Sequence, residues 1–127
     1  MIIRSVEQSD AREWEAMRQD LWPEAADDHP LEIAAFFAGK LNEPQAVLVA
    51  QEGPSLVAFA ELSIRHDIHE LRGKRVGYVE GLYVAPPFRA QGIARKLLQA
   101  SRQWAKNCGC EAFASDRSDR IVIDSRF

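Results

Sequence analysis

Only two cysteines occur in 127 residues, and they stand one residue apart in "NCGC", as Cys108 and Cys110. Neighbours so close do not bridge each other without strain, which excludes a disulfide framework. No cluster of His, Cys and acidic residues has metal-ligand spacing, so no metal is expected, and the two cysteines read as small apolar residues at a helix end. Nor does any apolar run approach the ~20 residues that span a bilayer. The opening "MIIRSVEQSD" lacks the charged and apolar blocks of a signal peptide. The expected location is therefore cytoplasmic, with no membrane partner. Basic residues are not in excess: net charge is −3, which argues against a nucleic-acid partner. Neither G-x-x-x-x-G-K-[ST] nor G-x-G-x-x-G is present, so neither common nucleotide loop applies. His29, His66 and His69 have no Ser or Cys at a recognisable catalytic spacing and read as surface or hydrogen-bonded structural residues. There is no internal repeat.

What remains is a chain with 46% hydrophobic residues, enough for one domain over 1–127 with one core. "MIIRSV" alternates as a first strand. Ser9 or Asp10 caps a helix, Asp10 and Glu13 having capping-box spacing, and Trp14, Met17 and Leu21 give that helix one apolar face. Trp22 and Pro23 end it. The polar "EAADDHPLE" precedes a second helix after Pro30, with Ile33, Phe36, Phe37 and Leu41 on one stripe. "AVLVAQ", the turn "EGPS" and "LVAFAELSIRHD" form a hairpin, and "VGYVEGLYV" is a further strand whose Gly81 signals a bulge. After "PPFRAQG" a third helix turns Ile93, Ala94, Leu97, Leu98, Trp104 and Ala105 inward and stops at Asn107 and Gly109; "CEAFAS" is one more strand. The order β-α-α-β-β-β-α-β belongs to a mixed α/β sheet, not a doubly wound one.

The third helix starts on a glycine, Gly92, between Arg89 and Arg95. Glycine costs about 1 kcal/mol in a helix relative to alanine. The four unpaired N–H groups of a helix N-terminus attract anions, and a missing Cβ lets a phosphate come close. "RAQGIA" is thus a candidate pyrophosphate cradle. It resembles the [QR]-x-x-G-x-[GA] loop of the GCN5-related N-acetyltransferases, with Arg89, Gly92 and Ala94 on the pattern, and the element order agrees with that superfamily. "LWP", "SIRHD", "EGLYV", "GIARKLL", "GC" and "FASD", spread from Leu21 to Asp116, resemble the aminoglycoside 6'-N-acetyltransferases of the shorter, dimeric kind.

The resemblance implies a mixed, mostly antiparallel sheet flanked by helices, acetyl-CoA as acetyl donor, a cationic amine acceptor and a homodimer. It implies acetyl-CoA contacts along Leu82, Tyr83 and Val84 and through Arg89, Ala90, Gln91, Gly92, Ile93, Ala94 and Arg95. The Leu82 amide would face the thioester oxygen, the Val84 backbone would pair with the pantetheine arm, and the amides of Gln91 to Ala94 would take the pyrophosphate. Glu80 would receive the amine proton, Asp116 would bind ammonium groups and Trp22 would wall a sugar ring; Glu24, Asp27, Asp28 and Glu32 would form an acidic rim. On residue chemistry alone each has a plainer reading: Glu80 a solvated strand carboxylate, Asp116 a turn aspartate, Trp22 core, the acidic run a solvated loop. Two positions depart from the family. Ile68 stands where a tyrosine often follows "SIRHD", and after Asp116 the chain reads "RSDRIVIDSRF" instead of the family's last helix and strand. The pattern therefore covers about 1–116, and 117–127 is divergent; "RIVID" has strand character and could extend a sheet edge in this subunit or in a partner's. An acetyltransferase for another amine, or a binding relative with little turnover, is the alternative.

Overall fold

The alternating apolar residues at the N-terminus form β1 (Ile2–Ser5), and the two amphipathic segments that follow form α1 (Ala11–Leu21) and α2 (His29–Phe37). This computed structural model describes residues 1–117 and 120–127. Then come the hairpin β2 (Ala46–Glu52) and β3 (Ser55–Arg65), the long strand β4 (Val76–Val84), the helix α3 (Ile93–Asn107), β5 (Ala112–Arg117) and β6 (Arg120–Ile123). The six strands lie side by side in chain order. Every pairing is antiparallel except β4 with β5, the two strands joined by the α3 crossover.

Alternation along the strands sends side chains to two layers. Trp14, Met17 and Ile33 of α1 and α2 pack on Val47, Val49, Phe59 and Tyr83. On the other face Ile93, Leu97 and Ala105 of α3 pack on Ala58, Ala60, Leu62, Val79 and Phe113. The expected apolar stripe of α3 is therefore the one that docks. Its inward row also includes Ser101, fully buried, which satisfies itself by donating to the Leu97 carbonyl at 2.7 Å.

Two details differ from expectation, the capping box before α1 and the ends of α2, and the tail takes one of the two places expected for it. Asp10 stands directly before α1, as expected, but its capping box is with Glu7 on the short turn Gln8–Asp10 and not with Glu13: Asp10 accepts from the Glu7 amide at 2.7 Å and from Arg4 at 2.8 Å and 3.0 Å. Arg4 holds the Asp10 carboxyl below its ordinary range, while Glu13 reaches the Leu56 amide at 2.9 Å instead. α2 begins at His29 and ends at Phe37, where Gly39 at φ +72 turns the chain, so Leu41 lies outside the helix. The tail adds to an edge of its own sheet: β6 pairs antiparallel with β5 from Ala114↔Ile123 to Arg117↔Arg120. Phe127 stacks on Phe113 with ring centroids 5.6 Å apart, and Asp124 pairs with Arg102 of α3. Ile68, in the place of the family's tyrosine, is buried with Val76, Tyr78, Ala112 and Ala114. It is a core residue.

Candidate active site

β3 pairs with β4 as far as Val84, but β5 pairs with β4 only from Val76↔Ala112 to Val79↔Ser115. Beyond Val79 the two parallel strands part. At that point the β3–β4 register shifts, Leu62 facing Val79 while Glu61 faces Gly81, so Glu80 is the extra residue of a bulge. The sequence expectation of a bulge at this glycine is met, and the reason for the glycine is packing. A Cβ on Gly81 would lie 2.5 Å from Cη2 and 2.6 Å from Cζ2 of Trp22. Only a glycine lets the indole sit against the strand.

The backbone follows from the ladder. Ala85 N–H donates to Val57 C=O at 2.8 Å, and antiparallel pairs alternate between bonded and non-bonded. Tyr83 therefore spends its backbone groups on Phe59, whereas Leu82 and Val84 turn theirs away from β3, to the side that β5 has left. The Val84 carbonyl accepts from Arg89 Nε at 2.7 Å, and the Arg89 guanidinium lies 5.7 Å over the Tyr83 ring. The Tyr83 hydroxyl donates to Asp20 at 2.7 Å, and burial, then Asp20, push its pKa up.

A groove of about 440 Å³ runs from Leu21, Leu82, Tyr83 and Val84 to Arg89, Ala90, Gly92, Ile93 and Ala94. At its far end Ala90 has φ +63 and Gly92 has φ +83, with nothing within 4 Å of where a Gly92 Cβ would stand. The left-handed backbone explains the glycine, and the open space in front of it is what an anion needs. The first helical bond runs from Lys96 N–H to Gly92 C=O at 3.1 Å. The amides of Ile93, Ala94 and Arg95 thus have no helical acceptor. Gln91 and Arg95 are exposed and line no part of the groove; the Gln91 side chain donates to the Pro87 carbonyl at 3.4 Å.

A second groove of about 570 Å³ opens between Leu21, Trp22, Glu24, Glu80, Leu82 and the end of β5 at Ser115, Asp116 and Arg117. Trp22, Glu80 and Asp116, widely separated in sequence, meet here. A smaller lobe of about 260 Å³ continues past Trp22 and Glu80 to Glu32, Glu43, Glu61 and Arg18. Asp27 and Asp28 are not brought in; both stay exposed on the turn before α2 and line neither space. Trp22 is wall and core at once, since its ring also meets Phe59 at 6.3 Å. Its carbonyl receives the Nε2–H of buried His29 at 3.0 Å, the tautomer a carbonyl requires.

The sequence reading missed two arginines and a glutamate. Arg65 binds Glu80 through both oxygens, Nε to Oε2 at 2.8 Å and Nη2 to Oε1 at 2.9 Å. Glu80 raises the Arg65 pKa further. Glu61, 1% exposed, accepts from Trp14 Nε1 at 3.0 Å and pairs with Arg18 Nε at 2.8 Å. Burial pushes the Glu61 carboxyl up, and Arg18 and Trp14 oppose it. The available signal was a lone glutamate inside the apolar strand "LVAFAELSIRHD", since a buried carboxylate needs partners.

The sequence pattern of the Acetyltransferase (GNAT) family matches residues 11–121. This chain belongs to the GNAT family. Among similar GNAT proteins, the aminoglycoside N(6')-acetyltransferase type 1 of Klebsiella aerogenes is 44% identical over 118 residues, covering 91% of this chain and 77% of that one. The enzyme of the same name from Stenotrophomonas maltophilia is 36% identical over 115 residues, covering 90% and 73%. The solved structure of AAC(6')-Iy in complex with the bisubstrate analog CoA-S-monomethyl-acetylneamine superposes with a TM-score of 0.82 at 30% identity, over 94% of this chain and 80% of that one. AAC(6')-Ig from Acinetobacter haemolyticus gives 0.82 at 30% identity, over 94% and 81%. The mixed sheet expected from the sequence is the GNAT fold. Among the described residues, no group of side chains is arranged to hold a metal ion, and no helix is long and apolar enough to cross a membrane.

Proposed function

We propose that this GNAT protein is an aminoglycoside 6'-N-acetyltransferase, moving an acetyl group from acetyl-CoA to the 6'-amine of the antibiotic and so conferring resistance. The observation that carries the reading is the junction of the two grooves. The cradle groove and the acidic groove share Leu21 and Leu82, so a donor in one and a cationic acceptor in the other would meet at the Leu82 backbone. Sequence relatives and the superposed AAC(6') structures support the same acceptor class.

The residues fit acetyl-CoA as substrate. The amides of Ile93 and Ala94 and the approach open at Gly92 suit a pyrophosphate; Leu82 and Val84 offer backbone groups to the arm leading to the thioester. The Leu82 N–H donates to the thioester oxygen as negative charge builds there. In the acidic groove Trp22 faces a ring of the acceptor, and Glu24, Glu80 and Asp116 pair with its ammonium groups. The neutral amine attacks the carbonyl, the N–C bond forms and the C–S bond breaks. Glu80 has first taken the proton of the bound ammonium, directly or through one water, and the amine's second proton passes to the departing thiolate.

Purified protein mixed with acetyl-CoA and tobramycin or kanamycin, in the presence of a chromogenic disulfide, is expected to release free thiol only when the drug is added. Acetyl-CoA binding by calorimetry without drug-dependent release would overturn the acceptor assignment and leave another amine as substrate.

We further propose that the protein acts in the cytoplasm as a homodimer. β6 forms one edge of the sheet, with Ile121 41% and Ile123 37% exposed, a surface suited to pairing with a second copy. Gel filtration with light scattering is expected to give twice the 14.3 kDa chain mass. A monomer at micromolar concentration would overturn the dimer.

A further inference from the structure

We infer that Arg65 is a positioning residue of the transfer, holding the Glu80 carboxylate in one plane at the bulge with its proton-accepting face turned to the acceptor groove. This rests on the reading of Glu80 as the group that takes the amine's proton.

Glu80 is the unpaired residue of the bulge, so the regular alternation of the ladder does not fix where its side chain points. Something else must. The Arg65 fork supplies two parallel charge-assisted bonds, 2.8 Å to Oε2 and 2.9 Å to Oε1, which set both the direction and the plane of the carboxylate. Each carboxylate oxygen has a second acceptor site, so the bidentate pair leaves one position on each oxygen for the amine or its water.

Arg65 is itself anchored. Its guanidinium carbon lies 4.6 Å from the ring centroid of Tyr78, which is 3% exposed. Nη2 reaches Glu43 at 3.3 Å and Nη1 reaches Asp67 at 3.6 Å. The chain thus runs from a core ring to a guanidinium to the reactive carboxylate. Glu80 lines both lobes of the acidic space, and Arg65 lines neither. Arg65 therefore acts through Glu80 and not on the acceptor directly. Lysine at this position would keep the charge but lose the fork.

The test is a double-mutant cycle on kcat, with acetyl-CoA affinity and melting temperature measured for each protein. Arg65→Ala is expected to lower kcat about tenfold or more in the native background, with acetyl-CoA affinity unchanged, and Arg65→Lys is expected to recover only part of it. In the Glu80→Gln background the same Arg65→Ala change is expected to cost less than about twofold, because its target is already disabled. Millimolar guanidinium is expected to raise the rate of Arg65→Ala and leave Glu80→Gln as it was. Equal losses from Arg65→Ala in both backgrounds would overturn the inference and leave Arg65 a structural ion pair. An active Glu80→Gln enzyme would overturn the Glu80 reading itself, and the inference with it. Should Arg65→Ala fail to fold, the cycle with Arg65→Lys decides by the same comparison.

Discussion

Gly92→Val is expected to lose acetyl-CoA affinity by about 100-fold or more, the equivalent of two amide–phosphate hydrogen bonds at about 1.5–3 kcal/mol each. Gly92 has φ +83, a conformation a β-branched residue adopts only under strain. Valine at this position has two outcomes. If the loop keeps its shape, the new side chain fills the space in front of the unpaired amides of Ile93 and Ala94. If the loop relaxes to negative φ, those amides turn away. Either outcome removes the anion site.

The stability cost is separable, because a Gly92 Cβ meets nothing within 4 Å and only backbone strain remains, on the order of 1–3 kcal/mol. Gly109→Val is the control. It lies just past the other end of α3, at φ +76, with equally open space around its missing Cβ. Both variants are expected to melt earlier by similar amounts, and only Gly92→Val to lose acetyl-CoA in calorimetry. Full affinity in Gly92→Val would remove the cradle from the mechanism.

That comparison also marks what a sequence shows. Gly92 was legible because a helix start with a glycine between two arginines contradicts helix propensity, and the contradiction pointed to a ligand. The strands and two of the helix faces were legible for the same local reason, periodicity against solvent. Gly81 was legible as a bulge but not as the seat of Trp22, because that contact joins residues 59 positions apart on different elements. Asp10 is legible as the residue before α1, but its capping-box partner is not, because Glu7 and Glu13 both stand three residues from it and Arg4 on β1 draws its carboxylate toward the Glu7 side. Arg65 was invisible as a partner of Glu80. Nothing in the pattern of "SIRHD" says that a strand-end arginine folds across to a bulge on its neighbour. The tail gave its strand character but not its place, since an edge strand carries no signal for the edge it joins. Asp27 and Asp28 misled by chemistry: an acidic run near a cationic-substrate site looks like part of it, yet the turn before α2 leaves both in solvent.

Glu80→Gln is expected to lower kcat with the aminoglycoside by about 100- to 10,000-fold, the range of a lost general base. Glutamine has the shape of glutamate and accepts from Arg65 through one oxygen, so the bulge and the Trp22 wall stay in place. It has no carboxylate to take a proton. Acetyl-CoA affinity is expected to be unchanged, because Glu80 lines the acidic groove and not the cradle groove. The pH profile separates proton transfer from charge attraction. With the base removed, only the fraction of acceptor amine already neutral in solution reacts, so the variant's rate should rise about tenfold per pH unit below the amine's own pKa. A native enzyme in which Glu80 deprotonates the bound acceptor should depend less steeply on pH over the same span. A residue that merely attracts the drug would raise KM on removal, leave kcat alone and share the native profile. A parallel pH profile with kcat within threefold of native would return Glu80 to the role of a binding carboxylate and leave water as the proton acceptor.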